Sequence, residues 1–312
     1  MLIDFIGNKP VLDQLEANIS SGELSHGYLF IGSEGLGKFT AAKAFAARLL
    51  EPDRDDFIPR DNYENQNLRI IRSENLIKKE QIEDLVRDSK LKPYSGNYKI
   101  YIIDGFDKVT VSGQNAMLKM FEEPEDYLKI ILISSSLENI LPTVISRSRL
   151  IKFKDITDKE IENFLINREG LSRNNGALFA RLATGSMKKA MRFAKDPSYL
   201  LLRDRSIEVL DRLLNMGGYP FRDMDFFKDS ESLDDIFEFF IVFLRDLAFY
   251  KKGLEDEIIN TDKVEFLKKQ TISVKRAIGI SEKILQTQRL LKENTNFDLA
   301  IEDLLIYIGG VV

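Results

Sequence analysis

The sequence predicts an α/β domain built on a parallel sheet, followed by an all-helical remainder. Three observations carry this. Near-continuous apolar runs at Tyr28–Ile31, Tyr98–Ile103 and Leu128–Ile133 alternate with stretches of helical spacing, the pattern of strands buried on both faces. A glycine-rich turn, Gly32-Ser-Glu-Gly35-Leu-Gly37-Lys38, follows the first run and opens onto the helix-former run Ala41 to Leu50. After about Asp155 no convincing strand pattern follows in the chain of 312 residues, while helical spacing continues.

Taken in order, residues 9–21 read as a helix with Leu12, Leu15 and Ile19 on one side. The first strand, the glycine turn and its helix come next. Glu51 to Asn67 is polar and rich in proline and aspartate, and reads as a loop or excursion. Leu68–Arg72 is a candidate strand, and Lys78 to Leu91 carries Ile82, Leu85 and Val86 at helical spacing. Gln114 to Glu123 puts Met117, Met120 and Phe121 on one stripe read as core, with Pro124 as the stop. Leu150 to Phe153 is a shorter last strand. Thr157–Asn167, Asn174–Thr184 and Met187–Lys195 read as short helices, Asp196-Pro197-Ser198 as a fresh helix start, and Gly217-Gly218-Tyr-Pro220 as a turn between longer helices. The stripe Phe237, Phe240, Phe243, Leu244 and Leu247 reads as core or as an interface with other subunits.

Composition narrows the function classes. Hydrophobic residues at 44% and charged residues at 30% place the chain among soluble globular proteins. A net charge of −5 argues against nucleic-acid binding by global charge alone and leaves room for a local basic face inside an assembly. The chain has no cysteine, which excludes disulfides, thiolate metal sites and a cysteine nucleophile and fits a reducing compartment. The one histidine, His26, reads as a hydrogen-bonded structural residue rather than a catalyst, and with so few soft ligands no zinc site is expected. Asp4 stands where a signal peptide would need a basic start, and Ile236–Tyr250 is interrupted by Glu238, Arg245 and Asp246, so a cytoplasmic protein without a membrane span is expected.

The glycine turn has the G-x-x-x-x-G-K spacing of a phosphate-binding P-loop in the strand–loop–helix setting that this motif needs. Gly32, Gly35 and Gly37 permit torsions and close approach that a Cβ would forbid. The loop amides and the helix N-terminus then form an anion nest, with Lys38 placed to meet outer phosphates. The motif is incomplete, because the Ser or Thr whose hydroxyl binds Mg²⁺ is replaced by Phe39. Thr40 lies one residue further, about 100° round the helix, and is no obvious substitute. In an active P-loop ATPase the acid-bearing strand ends Asp-Glu; here Asp104 is followed by Gly105, so that position supplies no general base. Asp104 reads either as a vestigial metal position or as a residue that ends a strand, and Asp107 as a cap for the next segment. Arg147, in Ile145-Ser-Arg-Ser148, reads on its own as a surface charge.

Taken together, Leu24-Ser-His26-Gly-Tyr-Leu-Phe30, the P-loop and Tyr101-Ile-Ile-Asp104 resemble bacterial clamp-loader subunits of the AAA+ class. More specific are Gln114-Asn-Ala-Met-Leu118-Lys-Met-Phe-Glu122-Glu-Pro124 and Leu141-Pro-Thr-Val-Ile-Ser146-Arg147-Ser148, which closely match paired signatures of that family. The resemblance covers residues 1–197, and the helical remainder is compatible with the family's collar. Loss of the Mg²⁺ hydroxyl and of the glutamate, with the Ser-Arg turn retained, resembles the delta-prime branch rather than the ATP-hydrolysing gamma/tau branch. The resemblance implies that Arg147 acts in trans, as an arginine finger on the ATP of a neighbouring gamma/tau subunit. It implies a degenerate ATP or ADP site at Gly32, Gly35, Gly37, Lys38, Thr40 and Asp104, with weak or absent Mg²⁺ dependence. Ser135 corresponds to a sensor-1 position and Lys188, in Gly185-Ser-Met-Lys188-Lys-Ala190, to a sensor-2 position; both could equally be structural. Relatives carry a four-cysteine zinc module where this chain has Glu51 to Asn67, so no zinc is expected there.

The expectation is therefore a P-loop AAA+ parallel-sheet domain at 1–154, a small helical lid at 155–197 and an all-helical collar at 198–312. Its implied partners are gamma/tau and delta clamp-loader subunits of DNA polymerase III, the sliding clamp and primer-template DNA. The alternatives are a catalytic gamma/tau-like ATPase and, more remotely, an unrelated P-loop kinase.

Overall fold

The computed structural model describes residues 5–52, 63–73, 75–215, 223–228, 233–293 and 295–310. Most of the Glu51–Asn67 excursion and the Gly217–Pro220 turn therefore lie outside the described residues. The chain divides into two compact units, one of Met1–Phe164 with Thr184–Lys189, the other of Leu165–Ala183 with Ala190–Val312.

The first unit is a five-stranded parallel sheet in the order β2-β3-β4-β1-β5. Its strands are β1 (Gly27–Ile31), β2 (Leu68–Arg72), β3 (Lys99–Asp104), β4 (Leu128–Ser134) and β5 (Arg149–Lys152). The three inner strands are the near-continuous apolar runs: all of β4 is buried, and β1 and β3 are buried except for their last residues. The two edge strands β2 and β5 carry arginines and are partly exposed, as an unpaired sheet edge requires.

Helices α1 (Lys9–Ser21), α2 (Lys38–Leu50), α3 (Lys79–Asp88), α4 (Val111–Glu122) and α5 (Pro142–Ser146) belong to this unit. Helix α4 starts three residues before the apolar stripe suggested, because Thr110 Oγ1 accepts the Gly113 amide at 3.2 Å and caps it. Asp107 is therefore not the cap. It sits in a 3-10 turn, Phe106–Lys108, and accepts a hydrogen bond from Ser135 Oγ at 2.9 Å. Met117, Met120 and Phe121 are buried against Leu29, Tyr101, Ile103, Leu132 and Val144, as core packing requires.

Helices α6 (Asp158–Asn167), α7 (Arg173–Leu182) and α8 (Met187–Lys195) follow the sheet. The helices after them are α9 (Pro197–Asn215), α10 (Met224–Phe227), α11 (Leu233–Lys251), α12 (Val264–Lys269), α13 (Val274–Lys292) and α14 (Phe297–Gly309). Pro197 opens α9 with Asp196 Oδ1 accepting the Ser198 amide at 3.0 Å. The aromatic stripe of α11 is core: Phe237, Phe240, Phe243, Leu244 and Leu247 are buried with Ile207, Leu210, Ile280 and Leu304. No helix is long and apolar enough to cross a membrane among the described residues.

Candidate phosphate site and arginine turn

Strand β1 and helix α2 are joined by the loop Gly32–Gly37, whose three glycines have φ of 152°, 83° and 80°. At Gly35 and Gly37 the backbone is left-handed, a conformation strained for any residue with a side chain. A Cβ on Gly35 would overlap Ser186 Oγ, and one on Gly37 would lie 2.6 Å from the Phe5 ring. The crown of the loop is thus packed under the segment 184–189, and Lys188 donates its amide to Gly35 O at 3.4 Å. The Lys188 amine pairs with Glu34 at 2.6 Å, which holds the Glu34 carboxyl below its ordinary pKa.

Lys38 is buried, and its amine donates to the carbonyls of Gly32 at 2.5 Å and Ser33 at 2.6 Å. Burial lowers its pKa, opposed by the charges of Asp104, Glu34 and Asp107. An anion on the loop would add a further negative charge that favours the ammonium. The backbone cradle and the lysine therefore fit a nucleotide's phosphates.

The same residues do not fit a Mg²⁺ ion. Phe39 presents a ring where a hydroxyl would be needed, and Thr40 is exposed one residue further along α2. Asp104 ends β3 in register with Arg72 at the end of β2, so both side chains leave the sheet on one face. The Arg72 Nε lies 3.1 Å from Asp104 Oδ2, and its guanidinium carbon lies 4.7 Å from the Phe39 ring centroid. Burial raises the Asp104 pKa against the pull of Arg72, Lys38 and Lys108. No cluster of three or more acidic or histidine side chains suited to a metal occurs among the described residues. Arg72 was visible in the sequence only as a strand residue; its pairing with Asp104 needs the β2–β3 register.

Ser135 follows β4 and is engaged by Asp107 at the same end of the sheet. Arg147 lies elsewhere in this unit, at the end of α5. Gln114 of α4 is buried, donates to Val109 O at 3.1 Å and Asn139 O at 2.7 Å, and accepts the Leu141 amide at 2.9 Å. It fixes the start of α5, which Pro142 opens, and so sets where the arginine turn emerges. Arg147 is exposed and rests on Glu122, whereas Arg149 enters β5 opposite Tyr28.

Two family models match the chain, DNA polymerase III delta subunit over residues 7–157 and DNA polymerase III delta subunit, C terminal, over residues 205–309. The delta' subunit of DNA polymerase III from Bacillus subtilis (strain 168) is 26% identical over 96% of this chain and 95% of its own length. The tau subunit from the same organism is 30% identical over 60% of this chain and 36% of its own length. Among solved structures, a DNA polymerase III gamma subunit-related protein of Thermotoga maritima shares the fold, with a TM-score of 0.54 and 17% identity over 96% of this chain and 99% of that one. The chain thus matches DNA polymerase III delta-subunit models in both its N-terminal and C-terminal parts and resembles a delta' subunit along nearly its whole length.

Proposed function

We propose that the chain is the ATPase-inactive, delta-prime-like member of a clamp loader, and that it acts on the ATP of a neighbouring gamma/tau subunit through Arg147. The observation that carries the first half is the Arg72–Asp104 pair beside Phe39: the acid that would hold a metal is engaged by an arginine, and the metal hydroxyl is a phenyl ring. Gly105 leaves the water without a base. The phosphate cradle persists, so ATP or ADP binds without being hydrolysed, held by the loop amides and Lys38, with Ser135 and Lys188 at its margins. Bound nucleotide supplies a polyanion that ties the loop to Lys38.

The second half rests on the exposed Arg147 at the end of a helix whose start is fixed by Gln114. Its planar, permanently charged fork suits bridging phosphate oxygens on a partner. The partners in this reading are gamma/tau and delta subunits, the sliding clamp and primed DNA, with 1–154, 155–197 and 198–312 serving as sheet domain, lid and collar. A gamma/tau-like ATPase is the rival.

The test is ATP turnover by the pure chain, by gamma/tau, and by the two assembled with delta, with clamp and primed DNA present. The pure chain should show no turnover, and the assembly should exceed gamma/tau alone. A Mg²⁺-dependent rate near ~1 per second from the pure chain, abolished by Lys38→Ala, would show the rival to be right.

A further inference from the structure

Resting on the nucleotide reading above, we propose that Arg72 takes the place of the divalent cation: its guanidinium is the built-in positive charge that meets the outer phosphate oxygens of a nucleotide seated on the Gly32–Lys38 loop. Position argues for it first. Arg72 and Asp104 are register partners at the carboxyl ends of adjacent parallel strands, the end of such a sheet at which ligands bind. The guanidinium lies over Phe39, the residue that follows Lys38 and replaces the metal hydroxyl. One residue therefore stands against both groups that would have bound the ion, the acid and position 39.

Orientation argues for it next. The Asp104 carboxylate meets Nε, which leaves the two terminal nitrogens of the fork for other oxygens. The side chain is 65% exposed, so it is open to a ligand arriving from solvent. The Phe39 face steers it, since a guanidinium stacks on an aromatic ring. Phe39 thus both removes a metal ligand and orients the charge that replaces the metal. A single charge with directed N–H groups neutralises less than Mg²⁺, so it suits retention of nucleotide rather than its hydrolysis.

The experiment is calorimetric titration of the full chain with ADP and ATP, in excess EDTA and again in Mg²⁺, with circular dichroism as the folding control. Wild-type affinity should differ by less than about threefold between the two conditions. Arg72→Ala and Arg72→Gln should each weaken binding in EDTA by about tenfold to a hundredfold, the range for a lost charge-assisted hydrogen bond, and Arg72→Lys should recover part of it. The double variant Arg72→Ala with Phe39→Ser should become Mg²⁺-dependent. If wild type binds in EDTA and Arg72→Ala and Arg72→Gln bind equally well, the assignment of Arg72 is overturned and the nucleotide reading stands. A tenfold gain on adding Mg²⁺ to wild type also overturns it. If wild type binds neither nucleotide in either condition, the nucleotide reading falls and takes the assignment with it.

Discussion

Arg147 Nη2 lies 3.2 Å from Glu122 Oε1 and Nη1 lies 3.1 Å from the Thr143 carbonyl, so the arginine turn is parked against the end of α4. The two side chains are 37% and 50% exposed, and a surface pair of this kind contributes about 0–1 kcal/mol. Releasing it, as the proposed trans role requires, therefore costs little.

Arg147→Ala should leave the chain's stability within about 0.5 kcal/mol and its assembly unchanged. It should lower ATP turnover of the assembled loader by about tenfold or more, given that arginine fingers elsewhere contribute about 10³–10⁵. Arg149→Ala, inside β5, should be far milder. Normal assembly and an unchanged rate with Arg147→Ala would remove the trans role.

His26 offers a second measurement, because it is the one histidine in the chain and its resonances cannot be confused. Burial, helped by the nearby Lys129 charge and opposed by Asp126, holds its pKa down to about 4, and its Nε2 is buried without a hydrogen-bond partner among the described residues. An unfolded histidine titrates near about 6.5. Between that value and about 4 the unfolded chain binds a proton that the folded chain does not. The stability from a neutral His26 is thus full above about pH 6.5 and lost as pH falls through the folded value. Proton NMR should show no titration of the imidazole until about pH 4, and His26→Gln should flatten the acid-side loss of stability across that window. An NMR midpoint near about 6.5 would contradict the buried setting.

The P-loop crown gives a comparison between two glycines. Gly35 (φ 83°) and Gly253 (φ 74°) are both left-handed, but a Cβ on Gly253 meets nothing within 4 Å, whereas one on Gly35 overlaps Ser186 and lies 2.9 Å from Lys188 Cβ. Gly253→Ala should lose about 1–2 kcal/mol from backbone strain alone. Gly35→Ala should lose at least about 1 kcal/mol more, the overpacking contribution. Urea denaturation of both variants reads the difference; equal losses would mean that the crown is not packed under 184–189.

The inner strands were legible because a parallel strand covered on both faces must be largely apolar, and Tyr28–Phe30, Ile100–Ile103 and Ile130–Ile133 are apolar throughout. The glycine loop was legible for the same kind of reason, since its spacing is a backbone requirement. Arg72 was not, because its meaning comes from pairing with a residue 32 positions away, set by register rather than by any local pattern. The packing of Ser186 against Gly35 was hidden likewise: the sensor-2 resemblance pointed to Lys188, but only the fold brings the neighbouring serine onto the loop. Asp107 was misread as a cap because acids are common before helices, and Thr110 holds that position instead.

Arg203 shows the same limit in the helical unit, where it sits on the buried side of α9 with Tyr199, Ser206 and Ile207. It is 1% exposed. Its Nε and Nη2 donate to Asn260 Oδ1 at 3.1 and 2.7 Å, and its Nη1 and Nη2 to Asp262 at 2.9 and 2.6 Å. Asn260 is held in turn by the buried Asp246, which accepts its amide and its side-chain nitrogen, both at 2.7 Å. The network ties α9 and α11 to the segment before α12 through one cation that water cannot reach. Removing it would leave the Asp262 carboxylate half-buried without its partner, so Arg203→Ala should lose about 3–5 kcal/mol, far more than Lys268→Ala in the exposed Lys268–Glu265 pair. Burial works against the Asp262 carboxylate, but the hydrogen bond and charge of Arg203 bring its pKa below the ordinary value. The linked stability is therefore present above about pH 4 and lost as pH falls through the depressed folded value. Urea midpoints measured across the acid range should fall steeply for wild type below about pH 4, and the Asp262 part of that slope should vanish in Arg203→Ala. A loss under about 1 kcal/mol at neutral pH, with the acid slope intact, would mean that the cluster is not a closed ionic network in solution.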